Sequence, residues 1–255
     1  YFLFKNGTSY NINLTQELSR NSLSDPIFPT SGSNLKFTVQ ATPPYSLFNN
    51  INYPTAPDHI RYRWVEYHKW KFDSQWFQTV AGKLVFKAQA QFGFIGSYSK
   101  VTGTSAFERF KLGGDGMMGF DFLQGSEVIA MRGYANGYVI PESKTSTADI
   151  NIARNSGSPI YTRYQIELRY PVMMNEQANV FLLAFADAGN TWDRFRDFNP
   201  FKVRRSAGIG ARIFLPIFGL LGIDYGHAFD PIPGVQSDQW RQPFTFSIMQ
   251  QMGGL

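Results

Sequence analysis

Three ionisable residues stand in a setting that could do chemistry: Arg132, Glu167 and Asp187. Arg132 belongs to Arg132-Gly133-Tyr134, which closes a glycine-rich segment running from Phe107 to Tyr138. Glu167 and Asp187 follow in two successive runs that read as β-strands. Two carboxylates on neighbouring strands can act as the acid and base of a hydrolase. Arg132, Arg163 and Arg169 are at hand to neutralise them, however, and a carboxylate beside a guanidinium stays ionised. Structural ion pairs are therefore the expectation. An arginine between small residues at a loop tip can be carried into the interior of a β-barrel, where its charge must be paired.

Other chemistries find less support. Gly113-Gly114-Asp115-Gly116 is not read as a phosphate-cradling loop, because no helical period follows Gly116. His59, His68 and His227 are scattered without metal-ligand spacing, and no Gly-x-Ser-x-Gly elbow occurs. No enzyme activity, cofactor or metal is expected. The formal net charge of +5 is spread among interleaved acids and bases, so no nucleic-acid partner is expected either.

The elements that must position these residues are strands. Nine runs qualify: Tyr10–Ser19, Leu35–Ala41, Arg61–Val80, Leu84–Phe94, Ile160–Tyr170, Val180–Ala188, Arg204–Phe214, Leu220–Ala228 and Pro243–Met252. Alternation is clearest in Ile160–Tyr170, where Tyr164, Ile166, Leu168 and Tyr170 oppose Arg163, Gln165, Glu167 and Arg169. In Arg61–Val80, Trp64, Trp70, Phe72, Trp76 and Phe77 suggest interfacial aromatics at the strand ends. The longest near-continuous apolar run, Ile213–Ile223, is broken by Pro216 and Gly219 and falls short of the roughly 18 residues a membrane helix needs.

Period-two alternation fits a soluble sandwich or a transmembrane barrel. The connections favour the barrel. They are short at Ala81–Lys83, Pro171–Ala178 and Pro216–Gly219, and long at Thr42–Ile60, Gly96–Pro159, Gly189–Val203 and Phe229–Gln242. Outer-membrane barrels show short periplasmic turns and longer outer loops. Charged residues are 17% and aromatics 16% of the 255 residues, whereas soluble domains average about 25% charged. Nine is an odd number of strands and an open edge is not tolerated in lipid, so further strands are expected upstream of Tyr1.

Several motifs, taken in order, resemble one family. Asp25-Pro26-Ile27-Phe28-Pro29-Thr30-Ser31-Gly32-Ser33 resembles its Phe-Pro-Thr-x-Gly turn. Phe110-Lys111-Leu112-Gly113-Gly114 followed by Arg132-Gly133-Tyr134 resembles its loop signature. Phe185-Ala186-Asp187-Ala188-Gly189-Asn190-Thr191-Trp192 resembles its Phe-x-Asp-x-Gly-x-x-Trp strand. Ser206-Ala207-Gly208-Ile209-Gly210 and the Leu215-Pro216…Gly219 turn resemble its penultimate hairpin. The family is that of the outer-membrane protein assembly factors, the BamA-type insertases, and the long insertion before Arg132 is similar to that of Bacteroidetes-type members.

The resemblance implies a sixteen-stranded barrel in the bacterial outer membrane, of which residues 1–255 are the C-terminal part, with periplasmic POTRA domains upstream. The lumen-entering loop would span about 96–159. Arg132 would pair there with Asp187 and Glu167, beside the aromatic Phe185. Implied partners are unfolded outer-membrane proteins, accessory assembly lipoproteins, periplasmic chaperones and outer-membrane lipid. Clients would add strands at a lateral seam formed by Pro243–Met252, with Phe244, Phe246 and Ile248 facing lipid and Gly253-Gly254 weakening the strand end. A protein-secretion pore of the same superfamily and a porin-like solute channel are the alternatives.

Overall fold

An alternating sequence needs an extended backbone to send its two residue sets to opposite faces. In the computed structural model, which describes residues 8–117, 120–121, 125–175, 177–216, 219–235 and 237–249, nine strands take that form. They are β1 (Leu14–Asn21), β2 (Ser31–Ala41), β3 (His68–Ala81), β4 (Leu84–Gly96), β5 (Ile160–Met174), β6 (Asn179–Trp192), β7 (Arg204–Leu215), β8 (Gly219–Ala228) and β9 (Phe244–Met249). Each pairs antiparallel with its neighbour in this order, giving one sheet with β1 and β9 at its edges.

The sheet is apolar outside and polar inside. On β5, Ile166 and Leu168 are 49% and 44% exposed, while Gln165 and Glu167 are 5% and 4% exposed. Ile209 and Ile223 point out on β7 and β8, where Ser206, Arg212 and Asp224 are buried. A sandwich would bury the opposite set. This is the wall of a transmembrane antiparallel β-barrel, and the nine strands do not close it into a ring. No described helix is long and apolar enough to cross a membrane.

Several boundaries differ from the sequence expectation. The first strand begins at Leu14, because Tyr10 instead bridges Trp64, with the Tyr10 N–H donating to the Arg63 carbonyl. The third begins at His68. Before it, Asp58–Arg61 forms a helical turn whose Ile60 and Arg61 N–H groups donate to the Pro57 carbonyl. Phe77 is no interfacial aromatic: it is 3% exposed and faces inward. Of the expected Pro243–Met252 strand, Phe244–Met249 is observed, and residues 250–252 lie outside the described residues, as do Gly253 and Gly254.

At the end of the wall carrying the short turns, the inner face holds an apolar layer of Phe28, Phe77, Val85, Phe181, Leu183 and Phe185. Phe28 reaches it from the turn between β1 and β2, its ring centroid 5.1 Å from that of Phe181. That turn is fixed by Asp25 Oδ1, which accepts from the Ile27 and Phe28 N–H groups at 2.8 and 2.7 Å. Gly32 sits at φ +102°, where a Cβ would lie 2.1 Å from the Ser22 carbonyl oxygen.

The connection from β4 to β5 is a folded insertion. Phe110–Leu112, Phe120–Asp121 and Ser126–Ile129 form a three-stranded sheet, and Gly133–Tyr134 pairs with Arg241–Gln242. A helix, α1 (Thr147–Ser156), was not foreseen from the sequence. Its signal is an N-cap serine three residues before an aspartate: Ser146 Oγ accepts from the Asp149 N–H at 3.2 Å and donates to Asp149 Oδ2 at 2.7 Å. Gly157 at φ +70° ends it. Ile150 and Ala153 of α1 pack with Leu112, Met131 and Tyr134 of the insertion and with Ala228, Ile232 and Trp240 from the end of β8 and the connection after it, in one shared core.

Candidate functional site

The site begins as a notch of glycines in the wall. Gly208 of β7 lies directly opposite Gly226 of β8, and Phe185 of β6 pairs with Gly208 on the other side. A Cβ at Gly208 would meet Phe185 Cζ at 2.7 Å, and one at Gly226 would meet it at 3.1 Å. The ring fills the space those side chains would need. A Cβ at Gly226 would also meet the Gly133 amide nitrogen at 3.1 Å, so the loop backbone comes directly onto β8. Gly133 itself adopts φ +87°.

This contact delivers Arg132 to the interior, where it is 5% exposed. Its guanidinium carbon lies 3.5 Å from the Phe185 ring centroid. Nε donates to Asp187 Oδ2 at 2.9 Å and Nη2 to Asp187 Oδ1 at 2.8 Å, a bidentate fork. Nη1 lies 2.9 Å from Glu167 Oε1 and 3.6 Å from Asp224 Oδ1. The Arg132 backbone N–H points to Asp187 Oδ2 as well, at 3.3 Å.

The Omp85 superfamily domain matches residues 4–252 of the sequence. This chain belongs to the Omp85 superfamily. A crystal structure of BamA from Haemophilus ducreyi lacking POTRA domains 1–3 is similar in fold, with a TM-score of 0.64 and 19% identity. The likeness covers 92% of this chain and 41% of that one, so the chain spans about two fifths of its relative's length. No curated relative matches the chain. Superfamily and fold together point to the outer membrane.

Around the Omp85 loop tip, each carboxylate has a second partner. Glu167 Oε2 lies 2.6 Å from Arg169 Nη2, and Asp224 takes a bidentate pair from Arg212 at 2.9 and 2.8 Å. Asp187 Oδ1 accepts from Gln165 Nε2 at 3.1 Å, while Arg163 Nη2 lies 3.9 Å from Oδ2. Lys87 Nζ donates to Gln165 Oε1 at 2.6 Å. A cavity of about 700 Å³ adjoins the cluster. No carboxylate here is left without a cationic neighbour, so the geometry suits a static lock and not a poised acid. Asp224, Arg212, Lys87 and Gln165 were not singled out from the sequence. Their signal was present all the same, because each occupies a polar position in an alternating strand.

Gly133 and Tyr134 complete the loop tip. The Tyr134 hydroxyl lies 3.0 Å from both the Arg205 and the Asp230 carbonyl oxygens and accepts from the Asp230 N–H at 3.2 Å. Burial pushes its pKa up to about 12, so the phenol keeps its proton and donates. Phe244, Phe246 and Ile248 sit elsewhere, in an exposed outward row on β9 at 71%, 47% and 45%. Among the described residues, β9 pairs with β8 on one side only.

Proposed function

We propose that this chain is the C-terminal wall of a barrel that folds and inserts other outer-membrane proteins, without bond-breaking chemistry. An incoming chain carries unpaired backbone groups that cannot be left in hydrocarbon. A wall ending in an edge strand offers those groups temporary partners by β-augmentation. In this reading β9 forms one side of the seam. The upstream strands of a sixteen-stranded barrel and the POTRA domains would complete the protein, and accessory lipoproteins and periplasmic chaperones would deliver clients.

The observation that carries the reading is the fork from Arg132 to Asp187 and its contact with Glu167, which hold the inserted loop against the wall. A loop held this way braces the wall and stands in the lumen, which a solute channel would need open. The test is crosslinking in the full-length protein with Phe246→Cys. Crosslinks to the first strand of the barrel and to a client strand in transit are expected. Crosslinks to β8 alone, together with solute conductance in planar bilayers, would replace this reading with the channel.

A further inference from the structure

Away from the arginine cluster, β3 presents a second charged group to the insertion. The Lys69 side chain is fully buried, with Nζ 2.7 Å from Glu127 Oε1 and 3.5 Å from Glu108 Oε2. Lys71, two residues along the same inward row, donates to both Glu127 oxygens at 3.0 and 3.2 Å. The Phe110 ring centroid lies 4.8 Å from Lys69 Nζ. Glu108 also accepts from Asn11 Nδ2 at 3.0 Å, which ties in the segment leading to β1. Among the described residues, Glu108 alone holds a positive φ without being glycine, at 65°. A non-glycine backbone stays there only when its surroundings fix it. Burial works against an ionised Glu127, and Lys69 and Lys71 together outweigh it, holding the carboxyl below its ordinary range.

We propose that Lys69 is a second anchor of the lumen loop, a positioning residue that clamps Glu108 and Glu127 to β3 as the carboxylates of β5 and β6 clamp Arg132. Glu127 and Arg132 are five residues apart in one short segment, so the loop bridges β3 to β5, β6 and β8 as a cross-brace. The strands between the two anchors then move as one body. Any rearrangement of the barrel falls outside them. Only the activity arm of the test below rests on the proposed function.

The experiment uses the full-length protein in its own membrane, with E108Q/E127Q to strand Lys69 and K69M/E108Q/E127Q to remove the stranded charge. Removing one side of a buried ion pair is costly, whereas neutralising both sides is often tolerated. Trypsin cleavage of the loop at Arg109 and Lys111 is expected to rise at least about tenfold in E108Q/E127Q and to return to within about twofold of wild type in the triple variant. Client assembly should fall and recover in parallel. If E108Q/E127Q fails to fold, recovery of the folded, heat-modifiable band in the triple variant gives the same answer. Unchanged protection in E108Q/E127Q, or no recovery on adding K69M, overturns the anchor. Released loop with undiminished assembly leaves the anchor standing and overturns the assembly reading instead.

Discussion

The inner face of the wall has two levels that hold the molecule in opposite ways. Near the short turns, Phe28, Phe77, Val85, Phe181 and Leu183 exclude water by packing. Beside them, Arg132 holds together carboxylates from three strands. β6 carries both levels on one inward row: Phe181, Leu183, Phe185 and then Asp187 are buried, while Leu182 and Ala184 between them are exposed. An apolar layer fails by degrees, because its neighbours shift to cover part of a lost side chain. An ion cluster fails abruptly, because removing one partner strands the others in a poorly solvated place. Phe185 joins the levels, packing with the layer below and against the Arg132 guanidinium above.

That contrast predicts an order of effects. Asp187→Asn should cost most. Arg132 loses its bidentate carboxylate and keeps Glu167, so about 3 kcal/mol is expected, the low end of the range for breaking a buried pair. Denaturant unfolding in detergent measures it. Phe181→Ala should cost less, about 2 kcal/mol, under the usual Phe→Ala range because the ring also borders the lumen cavity and its loss is partly filled. A Phe181→Ala penalty equal to or above that of Asp187→Asn would break the contrast.

The smallest effect is expected outside the wall's interior, at Asp230. Hydrogen bonding to Arg205 holds this carboxyl below its ordinary range. Its contribution to stability is therefore present above the ordinary carboxylate pKa and is lost as pH falls through the lowered one. The pair is solvent-exposed, so its loss should be small. Acid below the ordinary carboxylate pKa should loosen the loop around Asp230, read as faster amide exchange there, and Asp230→Asn should remove that acid dependence. Acid sensitivity that persists in Asp230→Asn would place the responsible group elsewhere.

Strand number, facing and most boundaries were legible because a barrel wall is written in a two-residue code along its whole length. Glu167 and Asp187 were readable as inward by that code, and the structure puts them within reach of Arg132. The same code marks Asp224 and Arg212, but which inward groups meet depends on register and on glycines such as Gly208 and Gly226 that let the loop approach. Phe77 was misread because aromatic residues serve both as a membrane girdle and as interior packing, and composition does not separate the two. The insertion was least legible. Its strands run two to four residues, too short for a period to show.

The notch in which the loop tip rests also orders events in time. Arg132 and Asp187 are 55 residues apart, Tyr134 and Asp230 are 96 apart, and Tyr138 and Gln239 are 101 apart. Contacts of such separation form slowly, since a long stretch of chain must be ordered before they bring any gain. The loop precedes in the chain every strand that grips its tip, and Gly226, against which Gly133 rests, lies on the eighth of nine strands. Until β8 is in place Gly133 lacks the backbone it rests on, and Arg132 has only its partners on β5 and β6. Rigidity therefore reaches the loop late, and a barrel whose final hairpin has slipped in register would show it as a loop that does not settle.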